Sequence, residues 1–292
     1  MLKQVVGKLL GFSISKQKNA FIVNVILVLI LSAFCLQDVF VSGWQMRELP
    51  NLNTKLISGV EFIDTLTGFV ITNNYTSYDS CYILKTTDGG ANWSFKLRYK
   101  GGLSKIHFVD NLTGFVCGGT NSGTAKLFKT TDSGNNWFLT YCPATDFFTD
   151  MSFVNKDTFL LADNDALIGG LYRSTNGGQN WQNLFYQFNY NPDHIYMVNR
   201  NLGFMSCYTK YTARTTDGGI NWTMTQDDSA FSYIHFADSL NGWKTYVNVE
   251  KTTDGGLTWI YQNFPSVPGA GYNVKGIAGI ASFNKDTVFA VG

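Results

Sequence analysis

The segment from Lys85 to Trp93 reads KTTDGGANW, and its pattern occurs five times in the 292-residue chain. The other copies are KTTDSGNNW from Lys129, RSTNGGQNW from Arg173, RTTDGGINW from Arg214 and KTTDGGLTW from Lys251. Their tryptophans lie 44, 44, 41 and 37 residues apart. Self-similarity at a period of about 40 residues is typical of an array of repeated structural units.

The residue types of this motif predict a tight turn between two strands. Asp88 can accept hydrogen bonds from backbone amides of its own turn, and the glycine pair supplies positive φ without steric cost. Asp-Gly between two strand-like runs is a strong hairpin signal. Trp93 is expected to open the returning strand and to anchor a core, so its truncation would cost about 3–5 kcal/mol. We interpret all five copies as stability elements, because catalysis does not need the same acid five times.

A second motif lies upstream of each copy and predicts a strand end, a polar turn and a strand that starts at Gly-Phe. Its copies are FIDTLTGF from Phe62, FVDNLTGF from Phe108, MVNRNLGF from Met197 and FADSLNGW from Phe236, with degenerate copies from Phe153 and Phe283. One repeat then holds four short antiparallel strands, which is the pattern of a propeller blade. Residues 44–292 are predicted to be an all-β propeller with five complete repeats and a truncated sixth.

The five-copy motif resembles the Asp-box, or bacterial neuraminidase repeat, S/T-x-D-x-G-x-x-W. The matching positions are Thr86, Asp88, Gly90, Trp93; Thr130, Asp132, Gly134, Trp137; Ser174, Asn176, Gly178, Trp181; Thr215, Asp217, Gly219, Trp222; and Thr252, Asp254, Gly256, Trp259. The third copy departs from the pattern with Asn176, which can still make the turn. Sialidases, xyloglucanases, sortilin-type receptors and photosystem II stability/assembly factor-like proteins share this repeat, so the resemblance is specific for fold and unspecific for function.

The closest resemblance is to the photosystem II stability/assembly factor-like propellers, whose repeats pair an F-x-D-x-x-x-G-F turn with a K-T-T-D-G-G-x-x-W box. It covers Trp44 to Gly292. It implies a non-enzymatic, exported propeller that binds another protein and uses no cofactor. No partner-binding residue can be carried over, because the matching positions are the structural ones.

Residues 1–43 differ in composition from the repeats. Four lysines (Lys3, Lys8, Lys16 and Lys18) precede an apolar run over residues 21–36. This order is typical of an export signal, with cleavage expected after Cys35 or Gly43. An uncleaved membrane anchor is the alternative, since the run is near the lower length limit for a span. The protein is therefore expected outside the cytoplasm, and at a membrane only if this segment is retained.

Export permits disulfides, and four cysteines follow the predicted signal: Cys81, Cys117, Cys142 and Cys207. Three pairings are possible, and sequence does not choose between them. Small buried apolar residues are an equally good interpretation of all four.

The two ends of the repeat region bear on how the ring closes. Trp44 is predicted to begin an outermost strand that completes the last blade. The sixth repeat stops at Gly292 before any Asp-Gly motif, so we expect the chain to be a fragment cut near its C-terminus. The gap from Trp259 to Phe283 is 24 residues long and contains PSVPGAGYNVKG, which indicates a surface insertion.

Charge and histidine placement narrow the classes of function. The chain has 22 basic and 21 acidic residues, which gives no reason to expect a nucleic-acid partner. His107 and His235 occupy equivalent places before the phenylalanine of the second motif, and His194 lies in NPDHIY. No pair has metal-ligand spacing, and no Ser/His/Asp arrangement is arguable.

Glycan hydrolysis is the alternative to a binding function. Sialidases resemble this chain but use three arginines, and here Arg173 and Arg214 belong to the repeat itself. A xyloglucanase-like enzyme with two carboxylates fits better, and its partner would be a glycan. The candidate carboxylates outside the repeat motifs are Asp146, Asp150, Asp163, Asp165, Asp227 and Asp228. The separation of two carboxyl groups would decide such a mechanism.

Overall fold

The structure is a computed structural model that describes residues 49–50, 52, 55–73, 80–120, 125–142, 147–163, 170–184, 191–207, 211–226, 231–245, 249–262 and 279–291. Within these residues the chain forms five four-stranded antiparallel sheets, blades one to five, and one two-stranded sheet, the sixth unit. In every sheet, strands that are consecutive in sequence are neighbours in space. The predicted all-β propeller is confirmed.

The strand bounds follow the two sequence motifs. Blade one contains β1 (Leu56–Phe62), β2 (Gly68–Asn73), β3 (Ser80–Thr86) and β4 (Ser94–Lys100). Blade two contains β5 (Gly102–Phe108), β6 (Gly114–Gly119), β7 (Lys126–Thr130) and β8 (Phe138–Thr140). Blade three contains β9 (Phe148–Phe153), β10 (Phe159–Asp163), β11 (Gly170–Ser174) and β12 (Gln182–Asn183). Blade four contains β13 (Pro192–Met197), β14 (Gly203–Cys207), β15 (Tyr211–Thr215) and β16 (Thr223–Gln226). Blade five contains β17 (Tyr233–Phe236), β18 (Gly242–Thr245), β19 (Val249–Thr252) and β20 (Ile260–Gln262), and the sixth unit contains β21 (Gly279–Asn284) and β22 (Thr287–Val291).

The first strand of each blade is innermost. The first strands of consecutive blades pack side by side, as in β1 on β5, β9 on β13 and β17 on β21. The second strands are the most buried, and the fourth strands are mostly exposed. Apolar side chains of the middle strands therefore form the cores between adjacent blades.

The repeated tryptophan directly precedes the fourth strand and packs on the apolar cores, as the sequence suggests, but at their edge. Trp93 precedes β4 by one residue and is half-buried. Trp137 is the most enclosed of the five, 8% exposed, with its ring against Phe69 and Phe108. The fully buried rings are instead phenylalanines such as Phe69. The tryptophans cap the core rather than fill its centre.

The Asp-Gly turn, residues 86–93 and their equivalents, is a closed hydrogen-bonded unit. Thr86 Oγ1 donates to Asp88 Oδ1 at 2.8 Å and accepts from the amide of Gly90 at 2.9 Å. Asp88 Oδ1 also accepts from the amide of Asn92 at 2.9 Å, as the sequence predicts. Gly89 and Gly90 have φ angles of 71° and 88°, a backbone region that residues other than glycine rarely adopt.

Consecutive blades are joined by what we call the interblade clasp. In blades one to four, the lysine or arginine that is next to last in the third strand donates to a backbone carbonyl in the Asp-Gly turn of the following blade. The pairs are Lys85 Nζ to Ser133 O at 2.7 Å, Lys129 Nζ to Gly177 O at 3.3 Å, Arg173 Nε to Gly218 O at 3.1 Å and Arg214 Nε to Gly255 O at 3.1 Å. All the turns joined by the clasp therefore lie on one face, here named the turn face.

The structure distinguishes the two cysteine interpretations for three of the described residues. Cys81, Cys117 and Cys207 are buried free thiols. Burial raises the pKa of Cys81 and of Cys207 to about 12, so both stay protonated. They act as small apolar core residues, which was one of the two interpretations.

Several sequence-based expectations fall outside the described residues. These are the signal or anchor over 1–43, the strand at Trp44, the insertion within 263–278, Gly292, and the carboxylates Asp146, Asp165, Asp227 and Asp228. In the part of the chain that the structure describes, no helix has the length and apolar character needed to cross a membrane.

Candidate functional site

The innermost strands carry polar side chains at two repeated positions. One is the next-to-last residue of the first strand of each blade. Its occupants in blades one to five are Glu61, His107, Ser152, Tyr196 and His235. The other lies two residues earlier, and we call its members Lys105, Asp150, His194 and Tyr233 the inner-strand layer. Side chains two residues apart share one face of a strand, so both sets lie in the seams between blades.

Asp150 is the centre of the inner-strand layer. It is 4% exposed, and both of its carboxylate oxygens are occupied. Oδ1 lies 3.2 Å from Lys105 Nζ of blade two and accepts from the amide of Met151 at 2.9 Å. Oδ2 accepts from the amide of Ile195 of blade four at 3.0 Å and lies 3.7 Å from His194 Nδ1. One carboxylate thus connects three blades.

The charges of this layer stabilise one another. Burial alone would raise the pKa of Asp150, but the positive charge of Lys105 and a hydrogen bond from His194 outweigh it and hold the pKa below its ordinary value. The Asp150 charge in turn raises the pKa of Lys105. Burial would lower the pKa of His194, yet Asp150 and Asp193 raise it. All three groups therefore favour their ionised forms.

The position before the strand end forms a second set of connections across the seams. Glu61 Oε1 accepts from the amide of Phe108 at 3.0 Å. Ser152 Oγ accepts from the amide of Met197 at 2.8 Å, and the Tyr196 hydroxyl accepts from that of Phe236 at 3.4 Å. These are side chains of one blade bound to the backbone of the next. Sequence reasoning missed this role, although the shared position was visible in the repeat alignment.

His235 and Ser282 form a pair that sequence reasoning did not find. Ser282 Oγ lies 2.7 Å from His235 Nδ1, and the Ser282 amide donates to the same nitrogen at 3.2 Å. Burial lowers the pKa of His235 to about 4, so the ring is neutral and its Nδ1 is the acceptor. Because Ser282 is 2% exposed, this pair resembles the other seam contacts more than a nucleophile with its base.

Each of the three histidines contacts side chains of the neighbouring blades. The His107 ring packs against Phe153 at a tilt of 32°, and its Nδ1 is 3.3 Å from Glu61 Oε1. His194 stacks on Tyr233. Among the residues that the structure describes, no group of three or more His, Cys, Asp or Glu side chains is arranged to hold a metal ion.

The two candidate carboxylates that the structure describes, Asp150 and Asp163, are both buried. Asp150 pairs with Ala162 in the register of β9 and β10, and Asp163 is the next residue. A register shift between Ala162 and Asp163 places Asp163 opposite Phe148, so simple alternation does not assign the two carboxylates to different faces. A two-carboxylate glycosidase requires both carboxyl groups to reach the substrate, and Asp150 and Asp163 are only 4% and 1% exposed.

Comparison with known proteins shows similarity of fold alone. No protein-family model and no curated protein matches the sequence. The GH74 enzyme of Niastella koreensis superposes with a TM-score of 0.61 at 14% identity, over 80% of this chain and 43% of the enzyme. The WD40 repeats of RRP9 give 0.60 at 10% identity, over 80% and 72% of the two chains. YCF48 bound to D1 peptide gives 0.45 at 16% identity, over 87% and 95%. The chain thus spans less than half of the GH74 enzyme.

Proposed function

We propose that this protein is a non-enzymatic, exported β-propeller that binds another protein and serves as an assembly scaffold. Its repeats resemble those of the photosystem II stability/assembly factor-like proteins, whose implied role is of this kind. The observation that carries the proposal is the state of Asp150. The carboxylate at the centre of the inner-strand layer is saturated by two backbone amides, Lys105 and His194.

A saturated carboxylate suits a scaffold better than a hydrolase. A general acid in glycoside hydrolysis needs a pKa raised toward the working pH, and Asp150 has its pKa lowered. A nucleophile or base must reach its substrate, and Asp150 is buried. The polar groups of the inner strands are used to hold blades together, which supports a rigid ring whose outer surfaces bind a partner.

A glycan-active hydrolase of the Asp-box type is the second candidate. It is favoured by the four candidate carboxylates outside the described residues, Asp146, Asp165, Asp227 and Asp228. Among the candidate carboxylates, a xyloglucanase-like pair would be drawn from these four. The fold itself hosts both binding proteins and enzymes, so fold similarity does not choose between them.

A polysaccharide panel separates the two candidates. The full chain is incubated with xyloglucan, mixed-linkage glucan and sialyllactose, and released reducing ends or sialic acid are measured. We expect no release above that of a variant in which all four of these aspartates are replaced by asparagine. If the full chain hydrolysed one of these substrates and a single one of the substitutions abolished the activity, the scaffold proposal would be wrong.

We also propose that residues 1–43 direct export, as a cleaved signal or a retained anchor. Expression of the full chain followed by cell fractionation and N-terminal mass determination tests this. A mature N-terminus after Cys35 or Gly43 supports cleavage, and an intact chain in the membrane fraction supports an anchor. An intact chain in the cytoplasmic fraction would contradict export.

A further inference from the structure

The Asp-Gly turn of blade three differs from the other four at its acidic position. Asn176 stands where the other turns carry aspartate, and Gly177 follows it directly. Deamidation is fastest at an asparagine that precedes glycine, because no side chain hinders attack by the next backbone nitrogen. The chain holds one other Asn-Gly pair, Asn241-Gly242. The surroundings of the two pairs favour opposite outcomes for this reaction.

Aspartate at this position of the turn uses both of its carboxylate oxygens. Oδ1 accepts from the backbone amide of the residue at i+4. Oδ2 accepts from the side chain of that same residue. The Oδ2 bonds are Asn92 Nδ2 to Asp88 at 2.8 Å, Asn136 Nδ2 to Asp132 at 2.7 Å, Asn221 Nδ2 to Asp217 at 2.8 Å and Thr258 Oγ1 to Asp254 at 2.5 Å. A carboxylate thus closes the turn with two bonds to one residue.

Asn176 makes only the first of these two bonds. Its Oδ1 accepts from the backbone amide of Asn180 at 2.8 Å and from the Ser174 hydroxyl at 3.1 Å. The remaining atom of the Asn176 side chain is therefore Nδ2, a donor, where the other turns have an acceptor. Between the described side chains of Asn176 and Asn180 the structure has no hydrogen bond. An aspartate in place of Asn176 would supply the acceptor that asparagine binds at the equivalent site of three other blades.

The clasp cation that reaches this turn also lies beside a neutral side chain. Lys129 Nζ donates to the carbonyl of Gly177 at 3.3 Å, next to Asn176 in the chain. At the preceding junction, burial lowers the pKa of Lys85 and the charge of Asp132 in the following turn partly offsets it. A second pair of this kind is Arg173 with Asp217. A carboxylate at residue 176 would give Lys129 the same counter-charge.

We propose that Asn176 is a deamidation site and that the fold retains the aspartate it yields. The Gly177 nitrogen attacks Cγ of Asn176 and forms a new N–C bond. The Cγ–Nδ2 bond breaks, and Nδ2 takes the proton of the Gly177 amide and leaves as ammonia. Water then adds to the cyclic succinimide, leaving its oxygen in a carboxylate and returning a proton to the Gly177 nitrogen. Attack of water at Cγ gives aspartate, and attack at the main-chain carbonyl carbon gives isoaspartate.

The closed turn slows the first step and selects between the two products. The Gly177 nitrogen donates to the carbonyl of Asp157 at 2.9 Å, so its attack requires the turn to open. An unconstrained succinimide opens mostly to isoaspartate, whose extra backbone methylene displaces the side chain from the bonds of the turn. Isoaspartate returns to the succinimide when the turn is open, whereas aspartate is held by Asn180. The aspartate form should therefore accumulate.

Asn241-Gly242 is the matched comparison within the same chain. Asn241 Nδ2 donates to both carboxylate oxygens of Asp238, at 3.0 and 2.9 Å. Deamidation would lose both bonds and place a new carboxylate beside that of Asp238. The fold should therefore disfavour the aspartate product at Asn241 and favour it at Asn176.

Thermal unfolding of designed variants tests this preference. Asn176→Asp should raise the midpoint temperature by about 2–4 °C, and Asn241→Asp should lower it. Asn180→Ala should remove most of the gain from Asn176→Asp, yet have little effect in the wild-type background, because only aspartate binds its side chain. An Asn176→Asp variant no more stable than the wild type, or a gain that Asn180→Ala leaves unchanged, would overturn the inference.

Peptide mapping measures the reaction itself. The full chain is aged in buffer, aged in urea, or aged in urea and then refolded and separated from misfolded molecules. Trypsin places the two Asn-Gly pairs in separate peptides, 174–200 and 215–244. Mass spectrometry measures conversion in each peptide, and methylation by an isoaspartyl methyltransferase measures isoaspartate.

We expect isoaspartate to exceed aspartate at residue 176 in the chain kept in urea, and aspartate to exceed isoaspartate there in the native and refolded molecules. Molecules converted at Asn241 should be depleted on refolding. The inference would be wrong if residue 176 stayed unconverted in the aged native protein, if isoaspartate prevailed there, or if refolding retained the products of both sites equally.

Discussion

Lys85 of blade one donates from its ammonium to the carbonyl of Ser133 in the Asp-Gly turn of blade two, across 2.7 Å. The lysine is buried and its Nζ stands 5.7 Å from the centre of the Phe69 ring. Burial lowers the pKa of Lys85, so the carbonyl contact offsets part of the cost of enclosing a charge. The interblade clasp therefore stabilises the junction between two blades, in addition to the hydrogen bonds within each Asp-Gly turn.

Replacing Lys85 with methionine should destabilise the protein by about 1–3 kcal/mol, because a charge-assisted hydrogen bond is lost and the carbonyl loses its donor. Urea denaturation measures the change. Lys85→Arg should be tolerated, since Arg173 and Arg214 make the same contact in blades three and four. Lys100→Met, at an exposed site on β4, is the control. Equal stability of Lys85→Met and Lys100→Met would argue against the clasp.

Ser133 stands where the other four turns carry glycine, and it has a φ of 58°. Its Oγ donates to the carbonyl of Asn111 at 2.6 Å. Ser133→Ala keeps the unfavourable φ and loses this bond, whereas Ser133→Gly loses the bond but relieves the φ. We therefore expect the alanine variant to be about 1 kcal/mol less stable than the glycine variant. The reverse order in thermal unfolding would contradict this account of the turn.

The aspartates of the Asp-Gly turn should make the protein sensitive to acid. Hydrogen bonds led by the amides of Asn92 and Asn136 lower the pKa of Asp88 and of Asp132 to about 2. The Thr258 hydroxyl does the same for Asp254. A folded pKa below the unfolded value near 3.9 gives stability that is present above about pH 4 and is lost toward pH 2.

Thermal unfolding between pH 5 and pH 2 measures this loss. Replacing these three aspartates with asparagine should reduce the loss of stability between pH 5 and pH 2. The turn should persist, because Asn176 shows that the side-chain oxygen of asparagine can accept the hydrogen bond from the equivalent backbone amide. If the variant lost as much stability as the wild type on acidification, other groups would be the cause of the acid sensitivity.

Asp150→Asn should lower the free energy of unfolding by about 1–3 kcal/mol. The range is kept low because Lys105 is 48% exposed, so solvent partly screens its interaction with Asp150. The raised pKa of His194 contributes stability below pH 6.5 that is lost as the pH rises through the folded value. Wild-type protein should therefore lose stability above pH 6.5, and the variant should lose much less. Asp193→Asn, at a more exposed partner of His194, should retain most of the slope. An unchanged slope in Asp150→Asn would contradict the proposed coupling.

The repeated tryptophans should differ in their contributions. Trp137→Ala should approach about 3–5 kcal/mol, because its ring is buried against Phe69 and Phe108. Trp93→Ala should cost less, because Trp93 is half-buried and its ring packs edge-on against that of Phe62. Equal losses of unfolding free energy for Trp137→Ala and Trp93→Ala, measured by urea denaturation, would contradict the link between burial and contribution.

Local sequence predicted the elements well and the contacts between blades poorly. The strand ends at Phe62 and Thr86 and the start at Gly68 follow from turn chemistry, which acts over a few residues. The contacts of Asp150 join residues 45 positions apart, from Lys105 to Asp150, and depend on how neighbouring sheets pack. The repeat alignment did place His107 and His235 at equivalent positions, but the partner of each differs, so their roles could not be inferred.

The clasp runs in a single direction, because every blade donates to the one that follows it. Each junction therefore requires the same two surfaces, a cation on one repeat and a turn carbonyl on the next. A whole repeat inserted or deleted by gene duplication or unequal recombination would therefore preserve the clasp at each remaining junction. The contacts of Asp150 with Lys105 and His194 are specific to blades two, three and four, so the order of these three blades is fixed by side chains that the clasp does not involve.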